Sequence, residues 1–359
     1  MISQLANKHA DKCRFCWMCR HLCPVQLKTG KEINTPRAKG LLLSMAARGK
    51  GYDESAAEAM YECFLCDACT NDCATGYQPP LFIREARTEA IVENLAPKAV
   101  KDLLERIEKT GNIYGMKKQL RKANGGGDIL IYIGEVAGIA VGKMAEAFLG
   151  ILDKAGISYQ VLDEEPASGV MLGDLLGYVE EVRQQAKTCA DAINAAGTKT
   201  LIVLDSYDAQ IMIEKYPEWG CQIDADIVTA TSYVAELLEN GRLLVKEKQK
   251  GMAAYHDDDR LARTFHEFEP ARMIAKAVGY ELVEMFNHRE LAKSCGTSLT
   301  KSYIPEIVKK TAQGRWEDLM RTEAEIMLTA NPQAWECLAE VIPEERRLVD
   351  LFEAVYQAC

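Results

Sequence analysis

The chain has 359 residues, 48% of them hydrophobic and 27% charged, with a net charge of −10. That is the profile of an ordinary globular protein with room for two or three domains and a large core without covalent staples. The acidic balance argues against nucleic acid as the main partner, and the most apolar stretch, residues 129–152, is interrupted by Glu135, Lys143, Glu146 and glycines, so it does not read as a membrane span.

Taken in chain order, Thr35 before Pro36 predicts a helix start, followed by an apolar stripe of Leu41, Leu42, Met45 and Ala46 that ends near Gly49. Asp53 predicts the cap of a second helix running into Cys63. Pro79-Pro80 opens a third through Ile91, and residues 100–124 read as a polar helix. After Gly125-Gly126-Gly127 the period changes. Strands are expected at 129–133, 158–162 and 200–204, alternating with helices near 141–155, 177–197 and 233–240. The same order recurs with strands at 252–255, 280–285 and 324–329 and helices at 271–278 and 304–321. A final amphipathic helix carries Leu348, Leu351, Phe352, Val355, Tyr356 and Cys359 and is expected to dock on its own half.

The fold class expected is therefore multi-domain α and α/β. An all-helical domain spans residues 1–98, a helical linker 99–125, and two related parallel-sheet halves span 126–245 and 246–359.

Eight of the thirteen cysteines lie in the first 73 residues. Cys13-x2-Cys16-x2-Cys19-x3-Cys23-Pro24 and Cys63-x2-Cys66-x2-Cys69-x3-Cys73 have the spacing of two-cluster ferredoxins. Three thiolates on a tight loop grip one [4Fe–4S] cube, and the fourth points along the exiting segment to the other. This predicts crossed ligation: Cys13, Cys16, Cys19 and Cys73 on one cluster, and Cys63, Cys66, Cys69 and Cys23 on the second. Zinc sites use two paired groups giving four ligands, not two matched runs of four. Clustered thiols with no apolar segment ahead of Cys13 point to a reducing compartment, so the expected place is the cytoplasm, including the inner face of the membrane. Lys12, Arg14, Arg20, Arg37, Arg84 and Arg87 flank the clusters, and each reads individually as solvated surface.

With these residues in view, the chain resembles the iron–sulfur subunits that join a helical two-cluster ferredoxin domain to a duplicated cysteine-rich CCG domain. Glycolate oxidase, anaerobic glycerol-3-phosphate dehydrogenase and heterodisulfide reductase contain such subunits. Thr35-Pro-Arg-Ala-Lys-Gly and Pro80-Leu-Phe-Ile-Arg-Glu-Ala-Arg resemble family elements, as do Tyr255-His256-Asp257, Leu282-Val-Glu-Met and Ser294-Cys295-Gly296. The resemblance implies a metal site in each half, held by a Cys, a Cys-Cys-Gly and a Cys-x-x-Cys. Here Glu135, Ala167-Ser168-Gly169 and Asp205-Ser-Tyr-Asp208 stand in the first half. Asp259, Ser294-Cys295-Gly296 and Asn331-Pro-Gln-Ala334 stand in the second. One expected thiol of ten survives, so the family's CCG metal centre should be absent.

The expected function is an electron-transfer subunit of a multi-subunit oxidoreductase, relaying single electrons through two [4Fe–4S] clusters with no catalytic acid, base or nucleophile. The degenerate CCG region would be a docking scaffold for a flavoprotein or a further iron–sulfur subunit. Two rivals stand beside it. One is a catalytic subunit with a substrate or replacement-metal site built from Asp205, Asp208, His256, Asp257, Asp258 and Asp259. The other is a redox sensor.

Overall fold

The computed structural model describes residues 3–49, 51–118 and 123–359. Up to residue 110 the described chain is helical, its longer helices being Pro36–Ala47, Glu54–Tyr61, Pro79–Val92 and Lys98–Thr110. Local chemistry sets their starts. Thr35 accepts a hydrogen bond from the N–H of Ala38, Asp53 accepts from that of Ala56, and Pro79 occupies a first-turn position. The buried face of the first helix differs from the expected stripe: Lys39, Gly40 and Leu43 are inside, while Leu41 and Met45 are exposed. The reason is Gly40, above which the Tyr77 ring sits so closely that a Cβ would lie 2.0 Å from its hydroxyl oxygen. That hydroxyl donates to the Pro36 carbonyl at 2.8 Å. The helix expected over 100–124 ends at Thr110 instead, where Gly111 turns to φ 81°; residues 119–122 of that expectation lie outside the described residues.

Two parallel four-stranded sheets follow. β1 (Ile129–Tyr132), β2 (Gln160–Val161), β3 (Thr200–Val203) and β4 (Asp226–Thr229) are ordered β2-β1-β3-β4. β5 (Met252–Tyr255), β6 (Glu281–Leu282), β7 (Ile326–Thr329) and β8 (Arg347–Asp350) repeat that order as β6-β5-β7-β8. The duplication expected from the sequence is thus a duplication of topology. β2 and β6 are shorter than expected. β4 and β8, at the opposite edge of each sheet, carry too little apolar alternation to read as strands.

β8 also corrects the C-terminus. Leu348 is a strand residue, Asp350 caps the turn by accepting from the N–H of Phe352, and the helix spans only Leu351–Ala358. It packs chiefly on Gly142–Lys154 of the first half, not on its own half. Phe148 and Phe352 meet edge to face at 5.4 Å, and Gly150 leaves the room that the Tyr356 ring fills.

In each sheet the first and third strands lie side by side with their onward connections diverging, which opens a crevice at their carboxyl ends. Glu135 and Asp205 follow β1 and β3, while His256–Asp259 and Asn331 follow β5 and β7. The two crevices face each other across the middle of the molecule. The helical region contacts both halves: Arg84 pairs with Asp174 at 2.7 Å, and Lys28 with Glu317 at 2.5 Å.

Candidate metal centre

Both cysteine loops are wound the same way. In Cys13-Arg-Phe-Cys16-Trp-Met-Cys19, Phe15 and Trp17 have φ of 56° and 70°; in Cys63-Phe-Leu-Cys66-Asp-Ala-Cys69, the matching Leu65 and Asp67 have 53° and 59°. Left-handed backbone at a bulky residue is unfavourable by roughly 1–2 kcal/mol, so four such residues at matched positions need a shared purpose. The turns point backbone N–H groups at sulfur. Phe15 N–H lies 3.5 Å from Cys13 Sγ, and Leu65 N–H 3.4 Å from Cys63 Sγ.

The sulfurs fall into two groups. Cys13, Cys16, Cys19 and Cys73 line a cavity of about 170 Å³ together with Cys69, and Trp17, Arg37 and Tyr77 are among its walls. Burial pushes the Cys19 thiol up to about 11, against the N–H of Arg37 that bonds it, and its thiol neighbours are Cys13, Cys16 and Cys73. Burial also acts to raise Cys73. Hydrogen bonds from the Thr75 hydroxyl and the N–H groups of Thr75, Gly76 and Tyr77 outweigh it and hold that thiol below its ordinary value.

The second group lies deeper. Burial pushes Cys23 up to about 11 and raises Cys69 well above its ordinary value, and the thiols around Cys69 include Cys66, Cys63 and Cys23. Lys39, almost fully buried, is lowered by desolvation but opposed by the sulfurs of Cys63 and Cys23 beside it. Cys69 is thus the one sulfur placed beside both groups, which puts the two sites next to each other.

These residues fit iron–sulfur cubes. The sulfurs of Cys13, Cys16, Cys19 and Cys73 line one cavity, as a cube requires when each of its irons takes one thiolate. Among the described residues no three His, Cys, Asp or Glu side chains converge to hold a single metal ion. The N–H groups and the buried ammonium compensate thiolate charge, which burial alone would not tolerate. Residues 9–77 match the 4Fe-4S dicluster domain family. The N-terminal region is a 4Fe–4S dicluster domain.

Similarity to known proteins extends past that domain. A heterodisulfide reductase component from Methanosarcina acetivorans is 22% identical over an alignment covering 90% of this chain and 86% of the relative. A probable iron–sulfur-binding oxidoreductase of Bacillus subtilis is 23% identical across 82% of the chain, which spans about half (51%) of that longer protein. The crystal structure of a hypothetical protein from Helicobacter pylori shares the fold, with a TM-score of 0.58 at 12% identity, covering 99% of this chain and 73% of that one. The iron–sulfur protein described here is therefore similar along most of its length to iron–sulfur oxidoreductase subunits.

Around the dicluster domain the structure corrects the reading of two flanking cations. Arg87 is fully buried and donates to the carbonyls of Met60, Tyr61 and Cys63, and on its other side to that of Asp174 at 2.5 Å. Arg84 is mostly buried against Asp174. Arg37 is partly buried, paired with Glu32 at 2.6 Å and stacked 3.6 Å from the centre of the Trp17 ring. Two further arginines gave no sequence signal. Arg263 donates to the Cys66 carbonyl at 2.8 Å, and Arg260 to Asp67 at 2.9 Å. They lie 193 or more residues away along the chain, and only the packing of the second half on the second cysteine loop brings them there. Lys39 did carry a signal, as the lysine of Thr35-Pro-Arg-Ala-Lys-Gly, although spacing alone could not say that it is buried.

The positions standing for CCG ligands do converge. In the first half Glu135, Ser168 and Asp208 line a cavity of about 10 Å³, no larger than one water. The Ser168 hydroxyl donates to Asp208. Burial pushes Glu135 up to about 7 and raises Asp205 and Asp208 above the usual carboxylate range. In the second half Asp259 accepts from Ser294 at 2.6 Å and from Arg263 at 2.8 Å. Contacts then cross between the halves. Asn331 and Gln333 donate to Asp205 at 3.2 and 3.0 Å, Ser206 donates to Asp258 at 2.5 Å, and Tyr207 to Asp259 at 3.0 Å. Asp257 is held by Arg272 at 2.7 Å, and His256 accepts from Arg315 at 3.3 Å. Each acid or imidazole of the substrate or replacement-metal alternative is thus bonded to the protein itself.

Proposed function

We propose that this protein is an electron-transfer subunit of a multi-subunit oxidoreductase, holding two [4Fe–4S] clusters through crossed ligation. Cys13, Cys16, Cys19 and Cys73 would hold the first, and Cys63, Cys66, Cys69 and Cys23 the second. The observation that carries this reading is the distribution of sulfurs around Cys19 and Cys69: each has the other two cysteines of its own loop and the fourth cysteine of the opposite run as neighbours. The clusters would supply one-electron chemistry at potentials set by their surroundings. This chain's residues do the setting. Lys39 and Arg87 place buried positive charge beside Cys63, the left-handed turns aim N–H groups at sulfur, and the second half covers Cys66 and keeps water from it.

The α/β halves then act as a scaffold. Their CCG-type positions hold hydrogen bonds where the family resemblance implies metal, and the bonds of Asp205 and Asp259 fasten one half to the other. A redox partner subunit, such as a flavoprotein, completes the complex. Among the described residues no helix is long and apolar enough to cross a membrane, so membrane association would run through such a partner.

Anaerobically reconstituted protein is expected to contain about eight irons and eight labile sulfides per chain. Electron paramagnetic resonance of the reduced protein tests the crossing. Cys73→Ser should perturb the same signal as Cys16→Ser, and Cys23→Ser the same signal as Cys66→Ser. If Cys73→Ser and Cys66→Ser altered one common signal, crossed ligation would be wrong. Half the iron would sink the two-cluster reading.

A further inference from the structure

The two cysteine loops share one backbone shape and have opposite surroundings. In the second loop Phe64, Leu65 and Ala68 are 2%, 1% and 7% exposed: Phe64 and Ala68 pack into the second half, Leu65 into the helical region, and Arg260 and Arg263 of the second half bind Asp67 and the Cys66 carbonyl. In the first loop Phe15, Trp17 and Met18 are 53%, 42% and 55% exposed. About half of each of these side chains is open to solvent. They are contiguous: Arg37 stacks between Trp17 and Phe15 at 3.6 and 5.7 Å, and Arg20 lies 5.7 Å from Trp17. Trp17 and Met18 also wall the cavity that holds Cys13, Cys16, Cys19 and Cys73.

The segment that carries this face is charged against the rest of the chain, although Glu32 pairs with Arg37 at 2.6 Å, Glu317 pairs with Lys28 at 2.5 Å, and Asp72 lines the same cavity as Trp17 and Met18. Residues 8–37 carry seven Lys and Arg against two Asp and Glu, a net charge of +5 in a chain of −10. Exposed aromatic, Met and Arg side chains on a basic surround are the composition of an interface core and rim. The basic surround selects the sign of what docks there.

We infer that the face formed by Phe15, Trp17 and Met18 with Arg14, Arg20 and Arg37 is the docking port for a redox protein whose cofactor opening is ringed by carboxylates, and that electrons pass between that partner and the Cys13–Cys16–Cys19–Cys73 site. This rests on the two-cluster reading above. The exchange is a single electron, given up by the partner's reduced cofactor and taken by an oxidised cluster, with no bond made or broken.

The probe is flavodoxin, a small acidic flavoprotein, used with the full reconstituted chain under anaerobic conditions. Two measurements are made: the Kd of oxidised flavodoxin by calorimetry at low salt, and the rate of cluster reduction by flavodoxin hydroquinone. Reduced methyl viologen, a small cation that needs no docking face, is the control. The parent's flavodoxin rate should fall about tenfold between low and high salt as the charges are screened. Arg14→Glu/Arg20→Glu should weaken Kd and slow the low-salt rate at least about tenfold, with iron content unchanged and the viologen rate unchanged at high salt, where the reversed charges no longer attract the cation.

Trp17→Asn keeps a residue that tolerates the left-handed turn and should weaken binding with little effect on salt dependence. If it lost iron, the charge-reversal variant would still decide. Variants that bind and react like the parent would overturn the inference. So would self-association of the parent through this face, or loss of binding to phosphatidylglycerol vesicles in the charge-reversal variant with flavodoxin kinetics unaltered. Failure of viologen to reduce the parent, or half the iron, would instead refute the two-cluster reading itself.

Discussion

The guanidinium of Arg87 donates to the carbonyl oxygen of Cys63 at 2.6 Å, so the first cysteine of the second loop is positioned by a buried cation on another helix. The same group also binds the carbonyls of Met60 and Asp174, and so joins helix Glu54–Tyr61, the cysteine loop and the first α/β half at one point. Arg87→Lys keeps the charge but has fewer donors and no planar fork. It is expected to lower stability by roughly 2–4 kcal/mol, because several buried carbonyls lose their partner. Thermal unfolding together with iron content after anaerobic purification checks this. An unchanged midpoint with full iron would show that the contacts do not matter.

Gly40→Ala sets two effects against each other. Alanine in a helix interior is favoured over glycine by about 1 kcal/mol, but here its Cβ would lie 2.0 Å from the Tyr77 hydroxyl oxygen and 3.0 Å from the adjacent ring carbon. The steric effect should win, with a net loss of about 1–3 kcal/mol. Because Tyr77 walls the first sulfur cavity, reconstitution should also slow. Tyr77→Phe in the same chain should restore part of the stability, and the double variant's melting curve measures how much.

Asp205→Ala would strip the acceptor from the buried amides of Asn331 and Gln333 and from the N–H of Tyr207. A loss of about 2–4 kcal/mol is expected from these unsatisfied donors, with iron per chain unchanged, since the dicluster site lies elsewhere. Addition of Mg²⁺ or Mn²⁺ should not shift the parent's melting temperature. A clear upward shift on adding either ion, abolished by Asp205→Ala, would revive the replacement-metal alternative.

Asp350 gives a pH dependence of definite sign. Burial pushes its carboxyl up to about 7 although it caps the last helix. The folded state therefore keeps a proton that the unfolded chain releases near pH 4, and stability falls as pH rises from about 4 to 7. Asp350→Asn keeps the capping oxygen and removes the ionisation. It should flatten the change in melting temperature between about pH 5 and 8 and raise stability at neutral pH. A variant with the parent's pH profile would place the titration elsewhere, at Glu135 or Asp258, which burial also pushes up to about 7.

Whatever depends on near neighbours in the chain was legible before folding is considered. The cysteine spacing, the Thr35-Pro36 and Asp53 helix starts, the runs Ile129–Tyr132 and Ile326–Thr329, and the twofold order of strands and helices are all local patterns. The backbone meets each within a turn or two. The apolar stripe over Leu41 and Met45 was misread because Gly40 admits Tyr77 from 37 residues further on, which makes the opposite face the buried one. Edge strands β4 and β8 were missed for a different reason: each has four residues with only two adjacent apolar ones, too short a run to show a period of two.

That the N-terminal region is an iron–sulfur domain was legible in its cysteine spacing, because two matched runs of four thiols at such short intervals are the local pattern of that domain. Folding in three dimensions settled which loop is buried and which is open, which cations reach the sulfurs, and that Asp205 and Asp259, standing in CCG positions, bond to the opposite half. It also settled that the last helix docks on the first half. These outcomes depend on shape and desolvation between segments far apart in the chain, such as Cys66 with Arg263, Asp205 with Asn331 and Phe148 with Phe352. No spacing along the chain encodes what will press against a surface once it folds.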